Sequence, residues 1–197
     1  MPHATRAAER LAGATRLRER LSDKRWRHTL SVAETAYRLA EALGWTAADR
    51  DRLVQAALLH DLAKELSLPE QRALGGADGE EGFPGLVHAR AGARLARAEF
   101  AIEDEEILQA IAFHPTATAG LAPLGQLLFV ADYLEPSRRH LPAEDRALLE
   151  RSLRGEVDLP ALFCRVLALK LGWVLSEGLP LHPRSLAAWN AHCAHRG

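Results

Sequence analysis

The sequence predicts an all-α fold, a single helical bundle with a central metal site. Ala, Leu, Arg and Glu, which favour helices, dominate the 197 residues, and strand-favouring residues are scarce. Apolar side chains recur with helical periodicity along most of the chain. On four predicted helices the apolar stripe leads to a titratable side chain, which suggests a shared buried partner.

The first part of the chain divides into helices with recognisable ends. Gly44 is a good helix stop, and Thr46 opens a T-A-A-D sequence that resembles a capping box. A Gly-rich, acidic stretch, GGADGEEGFPG, follows a short segment from Pro69 and predicts a surface loop at 75–85. The predicted helices before this loop cover residues 6–21, 23–43 and 46–66.

Helical periodicity resumes at His88, and Pro136 ends one of the later helices. Acidic residues in the first turn support a helix that begins near Asp104. We expect an N-terminal helical extension over residues 1–22 and a main domain over 23–197 that includes the C-terminal helices. The predicted helices of this part cover 88–100, 104–114, 124–135, 143–154, 159–177 and 184–195.

Composition and charge exclude several classes of protein. The formal net charge is −1, which gives no case for a nucleic-acid partner. The N-terminus has no signal-peptide pattern, and no run reaches the length of a membrane-spanning helix, so we expect a cytoplasmic protein without a membrane partner. Cys164 and Cys193 form no CxxC motif, which predicts reduced thiols and no disulfide.

Titratable residues continue the apolar stripes of four predicted helices. Burying them separately would cost several kcal/mol for each unpaired charge. A buried cation bound by imidazoles and carboxylates resolves this cost, and mixed His and Asp ligands suit Fe, Mn, Zn or Co. Each of these residues could instead be a hydrogen-bonded side chain of the core. For His114 considered by itself, this second interpretation is the favoured one. The residues are His28, the adjacent pair His60 and Asp61, His114, and Asp132.

Two segments resemble the HD superfamily of metal phosphohydrolases: RHTLSVAETA (27–36) and AALLHDLAK (56–64). Together with Asp132 they give the H…HD…D pattern of that superfamily. Further segments resemble the YqeK family of symmetrical dinucleoside-tetraphosphatases. These are HARAGA (88–93), EFAIEDEEILQAI (99–111), His114, FVADYLEPSR (129–138) and LHPRSLAAWN (181–190).

The resemblance implies a single HD-domain helical bundle with two transition-metal ions, iron first, with manganese or cobalt as alternatives. One ion would be bound by His28, His60, Asp61 and Asp132, and Asp61 would bridge to a second ion bound by His88 and His114. The reaction implied is cleavage of diadenosine tetraphosphate to two ADP by a metal-bound hydroxide. The substrate is a small nucleotide, and a homodimer is left open. Pro115 and Trp189 depart from the family pattern.

Other residues are assigned to the substrate. Asp61 and Lys64 are the expected catalytic residues, with Lys64 stabilising phosphate charge; its alternative is a solvated surface lysine. Glu135 is a candidate partner of a ligating histidine or of Lys64, and His182 is a candidate wall of the nucleotide pocket. The expected substrate-binding residues are Arg25, His28, Lys64, His88, His114, Asp132 and Arg138.

Two competing functions remain. Another HD-type nucleotide phosphohydrolase or phosphodiesterase would share the H…HD…D residues, but His88 and His114 argue for a second metal and against a mononuclear nucleotidase. A non-catalytic nucleotide-sensing module would be expected to lack a complete ligand set, whereas this sequence supplies one.

Overall fold

A computed structural model describes residues 2–75, 80, 82–137 and 142–194. Within these residues the secondary structure is helical, which confirms the predicted all-α class. A 3₁₀ turn, Pro84–Leu86, precedes α6. The α-helices are α1 (Pro2–Arg10), α2 (Ala14–Arg20), α3 (Asp23–Ala42), α4 (Ala47–Leu59), α5 (Leu68–Ala73), α6 (Val87–Phe100), α7 (Glu105–Phe113), α8 (Pro123–Leu134), α9 (Ala143–Leu153), α10 (Leu159–Ser176) and α11 (Pro183–His192).

The centre of the bundle is α8, which packs against α3, α4, α7 and α10. Its Leu127, Leu128 and Phe129 are fully buried, as expected for a helix covered on several sides. Helix α1 packs on α3 and α4, and its Ala4 and Ala8 belong to the same apolar core. The predicted N-terminal extension over residues 1–22 thus contributes to the same core, and its division from residues 23–197 stays a prediction.

The N-terminal segment differs from the single helix predicted over 6–21. It forms α1 and α2, separated by Gly13 in the left-handed conformation with φ of 88°. A Cβ atom at Gly13 would lie 3.1 Å from the Phe100 ring, so a side chain would be both strained and crowded there. The periodicity continued across the break because apolar residues on both helices face the same core.

Helix α4 ends at Leu59, whereas the sequence predicted helix to Leu66. Beyond it the chain continues in tight turns, with i to i−3 hydrogen bonds such as Lys64 N–H to the Asp61 carbonyl at 2.9 Å. The His60 ring accounts for the change because its Nδ1 lies 2.7 Å from the Ala57 carbonyl, one of those that a helix end leaves unpaired. The remaining predicted boundaries lie within a few residues of the observed ones.

The C-terminal region corrects two sequence expectations. Cys164 in α10 and Cys193 after α11 form a disulfide with Cα atoms 5.4 Å apart, so the prediction of two reduced thiols is wrong. Helix α10 is long and apolar enough, by length and composition alone, to cross a membrane, so the expectation that no run reaches that length is also wrong; 28% of the helix is buried. Core helices of soluble proteins pass the same test, and α10 packs on α8 and α11, so the prediction of no membrane partner stays a prediction.

Candidate metal centre

Five helices bring the predicted ligands to one place. His28 lies in the second turn of α3, and His88 lies in the first turn of α6. His60 and His114 are the residues that directly follow the last turns of α4 and α7. Asp61 follows His60, and Asp132 lies near the end of α8. The structure thus brings together all six side chains to which the sequence assigned metal binding.

Three of the four imidazoles are oriented by the same local hydrogen bond. The Nδ1 atoms of His60, His88 and His114 lie 2.7, 2.9 and 2.8 Å from the backbone carbonyl three residues earlier in the chain. A carbonyl can only accept, so Nδ1 must carry the ring hydrogen and donate it. Each Nε2 is therefore left with its lone pair, which is the state in which histidine binds a metal.

Asp61 lies at the centre of the cluster, and its two oxygens face different histidines. Oδ2 lies 3.7 Å from Nε2 of His28 and 3.5 Å from Nε2 of His60. Oδ1 lies 3.3 Å from Nε2 of His88 and 3.7 Å from Nε2 of His114. The nearer Asp61 oxygen is therefore Oδ2 for His28 and His60, and Oδ1 for His88 and His114.

The fourth imidazole is oriented by a carboxylate instead of a carbonyl. Nδ1 of His28 lies 3.0 Å from Oε1 of Glu135, which is buried, and Nε2 lies 3.3 Å from Oδ1 of Asp132. Glu135 also accepts a hydrogen bond from the Ser137 amide at 2.7 Å, which fixes its carboxylate. Glu135 thus contacts a predicted metal ligand, as the sequence suggested.

Burial and charge set the protonation states of these groups. Burial lowers the pKa of His88, and burial together with electrostatic repulsion from the neighbouring His60 and His88 upon protonation lowers the pKa of His114 well below its ordinary value. Burial would raise the pKa of Asp61, but the neighbouring histidines hold it well below its ordinary value. His28 differs: burial opposes its protonation, but Asp132 and Glu135 raise its pKa to about 9.

The donor chemistry fits a transition-metal ion. Ligand atoms of His28, His60 and Asp132, and those of His60, Asp61 and His114, lie within 4.8 Å of one another. Nε2 of His60 is buried and has no hydrogen-bond partner among the described residues. A buried lone pair that faces carboxylate oxygens is unfavourable unless a cation lies between them. Imidazole nitrogen with carboxylate oxygen is the ligand set of Fe, Mn, Co or Zn.

The cluster opens into a cavity of 860 Å³ with basic side chains on its wall. Nζ of Lys64 lies 3.2 Å from Nδ1 of His88, and a guanidinium nitrogen of Arg25 lies 2.5 Å from Oδ2 of Asp61. Lys24 and Arg27 are exposed at the rim. Arg138, which the sequence assigned to phosphate binding, lies outside the described residues.

One residue of this cavity escaped the sequence analysis. Lys170, near the middle of α10, lines the cavity and lies with Nζ 4.5 Å from the centre of the Phe129 ring. It is 38 residues from Asp132 in the numbering and lies on a helix that carries no predicted ligand. A single lysine on an apolar helix is the only sequence signal, and such residues are common on solvated faces.

These features define an all-helical protein with a buried His and Asp cluster suited to metal binding. The family model of the HD domain matches residues 25–137, and the chain belongs to this family and, within it, to the symmetrical bis(5'-nucleosyl)-tetraphosphatases. The protein of that name from Halalkalibacterium halodurans is 34% identical, with coverage of 86% of this chain and 89% of the relative. The protein of the same name from Bacillus subtilis is 30% identical, with coverage of 88% of this chain and 92% of the relative.

A solved structure gives the same fold. It is a crystal structure from Clostridium acetobutylicum, described as a predicted HD superfamily hydrolase involved in NAD metabolism. That chain is 27% identical and superposes with a TM-score of 0.79 over 91% of this chain and 94% of its own length. The similarity covers nearly the whole chain.

Proposed function

We propose that the protein hydrolyses diadenosine tetraphosphate symmetrically to two ADP, with metal ions bound by the His and Asp cluster. The observation that carries this proposal is the position of Asp61, whose two oxygens face two pairs of imidazoles. This arrangement suits two ions, with His28, His60 and Asp132 at one and His88 and His114 at the other. The names of the relatives supply the substrate.

The bound metals, iron first or else manganese or cobalt, would act as Lewis acids on phosphoryl oxygens and supply a hydroxide nucleophile at neutral pH. The chain's own residues position the substrate. Lys64 and Arg25 place positive charge next to the cluster, where it stabilises the charge on phosphate oxygens. Lys24 and Arg27 at the rim add charge for the more distant phosphates.

Product analysis tests the reaction. Purified protein is loaded with iron, manganese or cobalt and incubated with diadenosine tetraphosphate, and the nucleotides are separated by chromatography. ADP as the sole nucleotide product is the expected result. AMP with ATP would contradict symmetrical cleavage. Release of AMP from mononucleotides with the dinucleotide left intact would instead favour another HD-type activity.

Metal analysis of His114→Ala tests the number of ions. We expect the variant to lose one of two metals and its activity, because the Asp61 oxygen nearest to His114 is Oδ1, while the helical circular dichroism is retained. His192→Ala is the matched control, since His192 lies in α11 outside the cluster. Unchanged metal content and turnover in His114→Ala would refute the two-metal assignment.

A further inference from the structure

A second cavity, the apolar cavity, lies beside the metal cavity of 860 Å³ and differs from it in character. It has a volume of 430 Å³, and its lining is mainly apolar, with Phe83, Leu167, Leu171 and Val174 among its side chains. Four of the described residues line both cavities and so form the junction between them. They are Gly85, Leu86, Pro115 and Lys170. Lys170 is the charged residue of these four.

One side of the junction is held by a contact between distant parts of the chain. Two junction residues lie in the loop 82–86, which forms a wall of the apolar cavity together with the segment 179–185 that leads into α11. Glu80 joins the two. Its carboxylate is buried, accepts a hydrogen bond from Arg184 at 2.6 Å and lies 3.0 Å from Nε2 of His182. The loop side of the junction is therefore fixed to the C-terminal segment.

The other side of the junction is α10, where Lys170 interrupts an apolar face. Leu167 and Val174, three residues before it and four after it, line the apolar cavity, so helical spacing places all three side chains on one face. Nζ of Lys170 lies 4.5 Å from the centre of the Phe129 ring. Phe129 precedes Asp132 by three residues in α8, so this contact brings the ammonium to the side of the metal cavity that Asp132 lines.

The contact with the Phe129 ring does not by itself explain a lysine at this position. The attraction of an ammonium to an aromatic ring is comparable in size to the rotamer entropy that a lysine side chain loses when it is fixed. The ring therefore orients the ammonium with little net gain in stability. A positive charge held at the junction of two cavities is suited instead to an anionic ligand.

The other basic side chains of the metal cavity come from a different part of the bundle. Lys24, Arg25 and Arg27 lie in the first two turns of α3, and Lys64 lies in the turns that follow α4. Among the described lining residues, Lys170 therefore extends the positive charge of the cavity to α10. An elongated anion that crosses the cavity would meet cationic groups at both ends of its path.

We propose that Lys170 is a substrate-binding residue that contacts the polyphosphate chain at the junction, and that it makes the site favour longer chains over shorter ones. This inference rests on the proposed function, since it takes the phosphates that react to lie at the metal cluster. A chain of two phosphates bound there is served by Lys64 and Arg25, which contact cluster residues. A longer chain reaches the junction and gains a charge-assisted contact with Lys170.

Binding of inorganic tripolyphosphate compared with pyrophosphate tests this contact, because the two anions differ in length by one phosphate. Calorimetry on the metal-loaded protein is the measurement. We expect Lys170→Gln to bind tripolyphosphate about tenfold more weakly, the loss expected for one charge-assisted contact, and pyrophosphate within about twofold of the wild type. The matched control is Arg165→Gln, since Arg165 is exposed on the same helix and does not line either cavity. Unchanged tripolyphosphate affinity, or an equal loss for both anions, would overturn the proposal.

Steady-state kinetics distinguish binding from packing. We expect Lys170→Gln to raise KM for diadenosine tetraphosphate about tenfold, with kcat and metal content close to those of the wild type. Lys170→Arg keeps the charge and should retain most of the affinity. Urea denaturation of both variants measures their stability. A loss of stability in Lys170→Gln with KM unchanged would show that Lys170 acts only by packing on Phe129, and a fall in kcat with KM unchanged would equally contradict the binding role.

Two further outcomes separate this inference from the proposed function. If the protein fails to hydrolyse the dinucleotide but Lys170→Gln still loses tripolyphosphate affinity selectively, the proposed function fails and the Lys170 contact stands. If hydrolysis occurs but Lys170→Gln binds both anions as Arg165→Gln does, the assignment of Lys170 alone fails.

Discussion

The metal-ligand cluster and the apolar cavity share a wall, but their side chains are held in place differently. In the cluster, His60, His88 and His114 are each oriented by a carbonyl three residues away, on or beside the same helix. The cavity wall depends on Glu80 and Arg184, which are 104 residues apart. Local contacts orient the ligands as soon as the helices form, whereas the wall requires the C-terminal segment to be docked.

This difference predicts that the two regions respond separately to mutation. Changes to the cluster should alter metal content and turnover while leaving the cavity and the overall stability largely intact. Changes to the C-terminal region should alter stability or polyphosphate binding and leave the metal in place.

Asp61→Asn should give the largest loss. Asp61 contacts all four imidazoles, and an amide lacks the charge that a metal requires from it. Because bound metals contribute several kcal/mol to such reactions, we expect turnover to fall by about 1000-fold or more. Metal content and the initial rate with diadenosine tetraphosphate are the measurements.

The matched control for that variant is Asp145→Asn. Asp145 is another buried carboxylate, and it accepts a hydrogen bond from Tyr133 at 3.1 Å, away from the metal cavity. We expect it to retain metal and turnover. Equal activity in Asp61→Asn and Asp145→Asn would break the assignment of Asp61 to the centre of the site.

Cys164→Ser should destabilise the protein without affecting the metal. The disulfide closes a loop between residues 29 apart, so its loss should lower the free energy of unfolding by about 2–4 kcal/mol. Urea denaturation measures this, and Cys193→Ser should give the same value, as should the wild type under reducing conditions. A disulfide-free variant that lost its metal would show that the two regions are coupled.

The apolar stripes indicated most of the clustered side chains because helical periodicity is local, whereas His88 came only from the family resemblance, and the metal binding of all of them stays a prediction. His60 and His114 each follow an apolar helix, and at that position a histidine ring reaches the unpaired carbonyls of the last turn. The break at Gly13 and the end of α4 at Leu59 were missed because apolar periodicity persists through both. A periodic pattern indicates which face of a segment is buried, but it does not indicate where the backbone stops being helical.

The apolar cavity could not be predicted in the same way. Glu80 lies in an acidic, Gly-rich loop, where a carboxylate is usually solvated, and only its contact with Arg184 makes it a buried residue. The Cys164–Cys193 bond was missed for a related reason. Two cysteines without a CxxC motif predicted thiols, and only the packing of α11 on α10 brings the sulfur atoms together.

Glu135→Gln should have a smaller effect than loss of a ligand. Glu135 contacts Nδ1 of His28, the ring nitrogen opposite the one that faces the cluster. Replacing such a partner typically costs about 10–100-fold in metal affinity or activity. Metal titration of the variant is the measurement. Glu34→Gln provides the control. Glu34 accepts hydrogen bonds from the backbone amides of His3 and Ala4 at 3.0 Å, and neither residue belongs to the cluster. Unchanged metal affinity would show that Glu135 acts only in packing.

The smallest predicted effect concerns the opposite end of the helix that leads to His114. Asp104 caps the start of α7, and its hydrogen bonds with Arg52 lower its pKa below the ordinary value of 3.8. A lowered pKa in the folded state stabilises the protein above pH 3.8, and this contribution is lost as pH falls through the folded value. Arg52 also contacts Asp49 and Glu106, so part of the interaction is shared.

Asp104→Asn retains an oxygen that can cap the helix and removes only the charge. We expect the free energy of unfolding at pH 7 to fall by less than about 1 kcal/mol, because the ion pair is partly exposed to solvent. The difference from the wild type should vanish at low pH, once Asp104 is protonated. Metal content should not change, since the hydrogen bond of His114 to the Ile111 carbonyl lies at the other end of α7. A loss of metal in this variant would mean that the orientation of His114 depends on the whole helix and not on its last turn.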